Sequence, residues 1–310
     1  MSFWHRVARV GVAAALASLL GRRGLKKQSL DASGALAAFV VGFFSLASGY
    51  RFGKALLSFE LLYHSILTLC HCTGVLLLGF YFTGSKLTKV RAGLKQKIDA
   101  NYKVGGQRSA RQVLACSILA TAIAIYYVLS FGDQDERIDF AAAPWRSVLL
   151  ASYVGHYACC AADTWASELG VLSEARPRLI TTLREVPPGT NGGVSVLGLA
   201  ASAMGGAFVG LLYLAMSLFS ATAQPQVVAL GALTGLFGSL LDSLLGATLQ
   251  ATWFDTSAKK ICEERAHAAA ASKSVKHVCG ADVLTNEQVN AVSVLVTTVA
   301  SGYLAQLLFT

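Results

Sequence analysis

Apolar runs long enough to span, or nearly span, a bilayer recur along the whole chain, at 7–20, 34–50, 55–82, 112–131, 146–162, 193–219, 227–249 and 288–309. The first of these is short. The polar segments between them differ in charge. Segment 83–111 holds Lys86, Lys89, Arg91, Lys95, Lys97, Lys103, Arg108 and Arg111 against Asp99 alone, whereas "FGDQDERIDFAAAPW" at 131–145 carries four acids and one arginine. Basic residues gather in cytoplasmic loops. Counting spans from the basic loop therefore places 83–111, 163–191 and 250–287 on the cytoplasmic side and 131–145 opposite. The pattern predicts an all-α fold, a polytopic integral membrane bundle of about seven or eight transmembrane helices, built as a single domain over residues 1–310. Residues 1–24 contain arginine but no acid, and read either as a short first helix with basic flanks or as a targeting segment.

Composition agrees. The chain is 54% hydrophobic and only 14% charged, against about a quarter charged for soluble domains. A net charge of +9 raises the question of nucleic acid. Loop topology accounts for the basic excess, and no nucleic-acid module is present, so the expected partner is the bilayer and not nucleic acid. Five of the seven cysteines lie in or beside apolar runs, where cysteine behaves as a small hydrophobe. The "CHC" at 70–72 has no second ligand pair and predicts no zinc site.

The unusual polar stretches all fall on one predicted side. In "CCAADTWASELG", Asp163 and Glu168 are five residues apart, about 140° round a regular helix. If both serve one site, the helix is expected to unwind between them, with Gly170 near its end. The other reading is a solvated helix terminus. Asp242 stands in an otherwise uncharged span, on a stripe with Gly231, Gly235, Gly238, Ser239, Gly246 and Gln250. Such a stripe admits a close helix neighbour and turns the carboxylate toward protein, as a functional group or as a structural hydrogen bond.

In "VPPGTNGG" the prolines and glycines forbid ordinary helix. Thr190 or Asn191 can cap the following span, and Gly192 and Gly193 can offer backbone N–H groups to an anion. The basic segment adds Lys95, Lys97, Gln107 and Arg108, suited to phosphates or to topology alone. Carboxylates able to hold Mg²⁺, together with donors able to hold phosphates, are the inventory of phosphoryl transfer. His156 has no evident partner for nucleophilic catalysis.

The stretches "SKLTKVRAGLKQKIDANYKVGGQRSARQV", "ADTWASELGVLSEARPRLITTLREVPPGTNGGVSVLGL" and "GSLLDSLLGATLQ" resemble the transmembrane protein 19 family, over roughly residues 25–309. That family includes the plant and cyanobacterial phytyl-phosphate kinases. The resemblance implies a membrane-embedded kinase that converts a prenyl monophosphate to its diphosphate, with CTP or ATP as donor and Mg²⁺ as cofactor. Matching positions carry over as Asp163, Ser167, Glu168, Asn191, Gly192, Gly193, Asp242 and Gln250. Asp163, Glu168 and Asp242 are the expected catalytic and metal-binding residues. Trp165 reads as an interfacial anchor or as a contact for the isoprenoid chain. One departure stands out: the family usually shows an asparagine–glycine pair where this chain has Cys116 and Ser117. A carrier of an anionic lipid or metabolite, with Asp242 as coupling residue, and a non-catalytic scaffold are the competing functions. An endomembrane of the endoplasmic-reticulum kind is expected rather than a plastid, with the motif loops facing the cytoplasm.

Overall fold

A computed structural model describes residues 3–47, 72–100, 102–103, 105–132, 136–218, 222–262 and 274–309. Residues 48–71 lie outside the described residues; they hold the end of the expected 34–50 span, most of the 55–82 span and the cysteine–histidine pair at 70–71. The helices are α1 (Phe3–Lys26), α2 (Ala32–Ala47), α3 (Cys72–Lys89), α4 (Ala92–Ile98), α5 (Ala110–Ala115), α6 (Ile118–Phe131), α7 (Pro144–Gly170), α8 (Val196–Ser217), α9 (Gln226–Leu249) and α10 (Asn286–Leu308). Among the described residues α8, α9 and α10 are long and apolar enough to cross a membrane.

Helices α7 to α10 form the core, and small residues bring their backbones together. A Cβ on Gly206 would meet the Gly231 carbonyl, and one on Gly205 would lie 3.0 Å from Ala162 Cα. Van der Waals packing of this kind is the main attraction between helices in lipid. The contacts also fix direction. Gly198 lies by Gly170 while Gly205 lies by Ala162, so α8 runs antiparallel to α7. Gly210 against Val227 and Gly206 against Gly231 make α9 antiparallel to α8. Gly238 packs on Cys159 and Gly235 on Ala158, so α7 and α9 run parallel. His156 meets Thr298 and Gly155 meets Ser301, which sets α10 antiparallel to α7. The C-terminal ends of α7 and α9 and the N-terminal ends of α8 and α10 therefore share one side.

The other segments attach at the two ends of this bundle. Residues 28–29 pair with 107–108, since Gln107 N donates to Gln28 O and Arg108 N to Ser29 O. At the far end, Gln224 exchanges both amide bonds with the Ile138 backbone, at 2.8 and 2.9 Å, which joins the 136–139 segment to the α8–α9 turn. Residues 136–139 thus lie at the opposite end of the bundle from the C-terminal end of α7.

Several expectations need correction. Segment 83–111 is not a loop throughout: α3 continues to Lys89 and α4 follows, its Lys95 buried against Glu168 of α7. The 112–131 run is broken at Cys116 and Ser117 into α5 and α6. His156, buried in α7, faces that break with Nε2 3.0 Å from the Cys116 carbonyl and Nδ1 3.1 Å from Thr298 Oγ1, so it does have partners and they are structural. Helix α7 does not unwind between Asp163 and Glu168; it is continuous over 27 residues.

The all-α expectation also omits two small sheets. Strands β1 (Arg178–Leu179) and β2 (Gly193–Val194) pair antiparallel, and β3 (Thr252–Asp255) lies between β4 (Lys260–Cys262) and β5 (Val275–Cys279). The second sheet occupies segment 250–287. It braces the 187–193 turn: Asn191 N donates to Thr252 Oγ1 at 3.3 Å and Cys279 Sγ to Asn191 O at 3.4 Å.

Candidate functional site

A cavity of about 470 Å³ opens at the shared end of α7, α8, α9 and α10. Asp163, Ser167 and Glu168 enter it from α7, Asp242 and Ser243 from α9, and Asn286 and Asn290 from α10. Thr88, Lys95, Tyr102, Lys103 and Arg108 close it from the basic segment, and Thr190 to Gly193 from the turn before α8. Asp163 and Glu168 share it without unwinding because the cavity wraps round the end of α7. Carrying the Gly238–Cys159 contact forward by four residues on each parallel helix sets Asp242 beside Asp163.

Asp242 is held in place. Ser293 Oγ donates to its Oδ2 at 3.0 Å, and the Asn290 amide, correctly oriented, donates to the same oxygen at 3.1 Å. The Asp163 carboxylate accepts no hydrogen bond among the described residues and faces the cavity.

Glu168 is different. Its Oε1 accepts from Thr88 Oγ1 at 2.6 Å and its Oε2 from Lys95 Nζ at 2.5 Å. Lys95 is only 4% exposed, and its ammonium also donates to the Leu87 carbonyl at 2.8 Å and the Thr88 carbonyl at 3.4 Å. All three ammonium donors are engaged, so Lys95 holds Glu168 rather than offering a free charge to phosphate. Among the described residues no three of His, Cys, Asp and Glu gather closely enough to hold a metal ion. The expected trio of carboxylates is thus a pair, Asp163 and Asp242, with Glu168 apart. A pair still suits Mg²⁺, which is commonly bound by one or two carboxylates together with substrate phosphates.

The turn before α8 rests directly on α9. Gly192 has φ +72, and a Cβ there would fall 2.5 Å from the Ser243 carbonyl and 2.7 Å from Ala247 N. Only glycine fits both the backbone and the approach. The Gly193 N–H donates to Thr190 O and is not free for an anion. Asn191 Nδ2, by contrast, is buried with no partner, an unsatisfied donor beside the cavity. Neither Thr190 nor Asn191 caps α8. Ser195 does, accepting from Gly198 N at 3.1 Å.

Gly105 and Gly106, at φ +81 and +93, turn the basic segment so that Arg108 points inward. Its guanidinium lies 3.4 Å from both Ser85 Oγ and Thr88 Oγ1. Lys97, Gln107 and Gln250 do not line the cavity. Trp165 lines neither this cavity nor its neighbour; its ring lies 5.4 Å from that of Phe208.

Sequence reasoning missed Thr88, Tyr102, Lys103, Gln112, Asn286 and Asn290. Most are neutral polar residues on helices, which carry no charge signal. Tyr102 donates to the Thr88 carbonyl at 2.6 Å, and burial, helped by the Glu168 carboxylate, pushes its phenol up.

A second, apolar cavity of about 160 Å³ adjoins the first, walled by Leu20, Val41, Leu77 and Phe80 among others. Arg108, Gln112, Thr164 and Asn290 line both. Such a fold and site define an integral membrane protein with a polar cavity at one face and an apolar recess behind it. Residues 55–298 match the family described as Integral membrane protein DUF92, and the chain belongs to that family. It is 39% identical over 307 residues to Protein PGR of Arabidopsis thaliana, covering 96% of this chain and 97% of that one. An uncharacterized membrane protein of Methanocaldococcus jannaschii is 33% identical over 57% of this chain and 64% of its own length. Protein VTE6, chloroplastic, of Arabidopsis thaliana is 26% identical over 57% of this chain and 50% of its own. No solved structure matches.

Proposed function

We propose that this protein is a membrane-embedded prenyl-phosphate kinase. The observation that carries the reading is the shared wall. A polar cavity rich in phosphate donors and carboxylates meets an apolar recess across Arg108, Gln112, Thr164 and Asn290. An amphiphile with an anionic head and a hydrocarbon tail complements that pair of spaces. The motifs' resemblance to the phytyl-phosphate kinases points the same way.

In this reading Arg108 and Lys103 hold the anionic phosphates, and Asn191 Nδ2 donates to one of their oxygens. Asp163 and Asp242 would hold Mg²⁺, which supplies charge neutralisation to the phosphates of CTP or ATP when bound. An oxygen of the prenyl monophosphate attacks the terminal phosphorus of the nucleotide. A new P–O bond forms, the bond to the bridging oxygen breaks, and the nucleoside diphosphate leaves with the electron pair. A phosphate monoester is already largely dianionic at neutral pH, so no protein base is required. That fits a site whose nearby histidine, His156, is spent inside the core.

The Asp163–Glu168 helix end and the basic segment open on the cytoplasm of an endomembrane in this account, as the charge of 83–111 favours. The test is incubation of the purified protein in nanodiscs with prenyl monophosphate, Mg²⁺ and terminally labelled CTP or ATP. Labelled prenyl diphosphate is the expected product, and label released only as inorganic phosphate contradicts the reading.

A further inference from the structure

The size of the apolar recess limits what it can read. At about 160 Å³ it is close to the roughly 150 Å³ apolar cavity that stays dry and admits a benzene-sized molecule. Its walls come from several helices, with Ala38, Val41 and Gly42 on α2 facing Leu77 and Phe80 on α3. One isoprene unit is about the size of benzene. A chain of several units has no room there.

We infer that the recess grips only the phosphate-proximal isoprene unit, so that the site selects for that unit and is indifferent to total chain length. The inference rests on the prenyl-phosphate reading above. The four residues common to both cavities hold the head-to-tail junction at one point, which fixes the first unit in the recess whenever the phosphates sit among Arg108 and Lys103. Held beside the phosphates at the polar cavity, that unit loses its contact with water on entering the recess. Later units gain nothing extra, because outside the recess they already lie in hydrocarbon.

Two of the wall residues on α2 are small. Ala38 and Gly42 are small residues in the wall, and a Cβ on Gly42 would point to Ala17 of α1, at an ordinary 3.7 Å. Ala38→Leu, at a half-buried wall position, should narrow the recess and weaken binding of dimethylallyl, geranyl and geranylgeranyl monophosphates alike, by about tenfold or more. Binding of inorganic phosphate should stay unchanged.

Photo-crosslinking of the full-length wild-type protein in nanodiscs is the deciding experiment, and it needs no variant to fold. Two geranylgeranyl monophosphates are used, one with a diazirine on the first isoprene unit and one with it on the last. The first probe should label α2 and α3 residues of the recess, and the second should label only sites outside it. Labelling of Val41, Leu77 or Phe80 by the terminal probe, or by neither probe, overturns the inference. Turnover assayed on the same preparation separates the two claims. Recess labelling without diphosphate formation defeats the kinase reading alone, whereas diphosphate formation without recess labelling defeats the tail site alone.

Discussion

Lys95 Nζ sits 2.5 Å from Glu168 Oε2, with Lys95 4% and Glu168 18% exposed. This ion pair joins α4 to the end of α7, seventy-three residues further along the chain. It converts a basic segment that topology alone would explain into one wall of a cavity. Removing one partner leaves the other's charge largely buried without its counterion. Lys95→Met and Glu168→Gln should each lower thermal stability, by up to about 3–5 kcal/mol. The double variant should lose less than the sum, with a coupling of roughly 0.5–3 kcal/mol. Strict additivity in thermal melts would mean that the pair contributes nothing.

Gly206 tests the bundle. Its Cα face meets the Gly231 carbonyl and Gly235 Cα directly. Gly206→Leu must push α8 from α9 and should cost about 1–3 kcal/mol or more, as overpacking does. An unchanged melting temperature would show that this helix face meets lipid.

Cysteine accessibility tests the two-sided arrangement. In a background without native cysteines, exposed positions Lys103 and Ala175 should be labelled by an impermeant reagent from one face, and Arg137 from the other. Labelling of Lys103→Cys and Ala175→Cys from opposite faces would dismantle the single cavity.

Asp31 gives a pH dependence. Its Oδ1 accepts from Gly34 N at 2.8 Å and from Ser33 Oγ at 2.7 Å, and these bonds, the Gly34 one foremost, hold its carboxyl below the ordinary 3.8. A depressed pKa means that the ionised form is favoured by folding. Its stabilisation is present above the ordinary value and is lost as pH falls through the depressed one. Asp31→Ala should therefore lower the melting temperature near neutral pH, and the gap to wild type should close in acid. A gap independent of pH would assign the loss to something other than the charge.

Local signals in the sequence explain which parts were legible. The α9 stripe from Gly231 to Gly246 was readable because close helix packing demands small residues at three- and four-residue spacing. Asp242 stood out because a charge in an apolar span is costly and needs a reason. The burial of Lys95 was hidden, since its partner Glu168 is distant in sequence and a lysine in a basic loop is ordinarily solvated. Helix α4 and strands β3 to β5 were hidden for a related reason: "AGLKQKI", "TWFD" and "KIC" are too short to show a period, and their structure comes from what they pack on. Asn290 and Thr88 gave no sign either, because a neutral polar side chain on a helix becomes a site residue only through its neighbours.

In the proposed reaction, Asp163 and Asp242 face one cavity and together serve phosphoryl transfer onto a prenyl monophosphate. Its most direct test is the rate of prenyl diphosphate formation by wild type, Asp163→Asn and Asp242→Asn in nanodiscs, with Mg²⁺ and CTP or ATP. The amides preserve shape but weaken an oxygen-ligand site for a hard cation. Wild type should form diphosphate, and each variant should lose at least about a hundredfold with melting temperatures preserved. Wild-type rates in both variants, or no diphosphate from folded wild-type protein with either nucleotide, would contradict it.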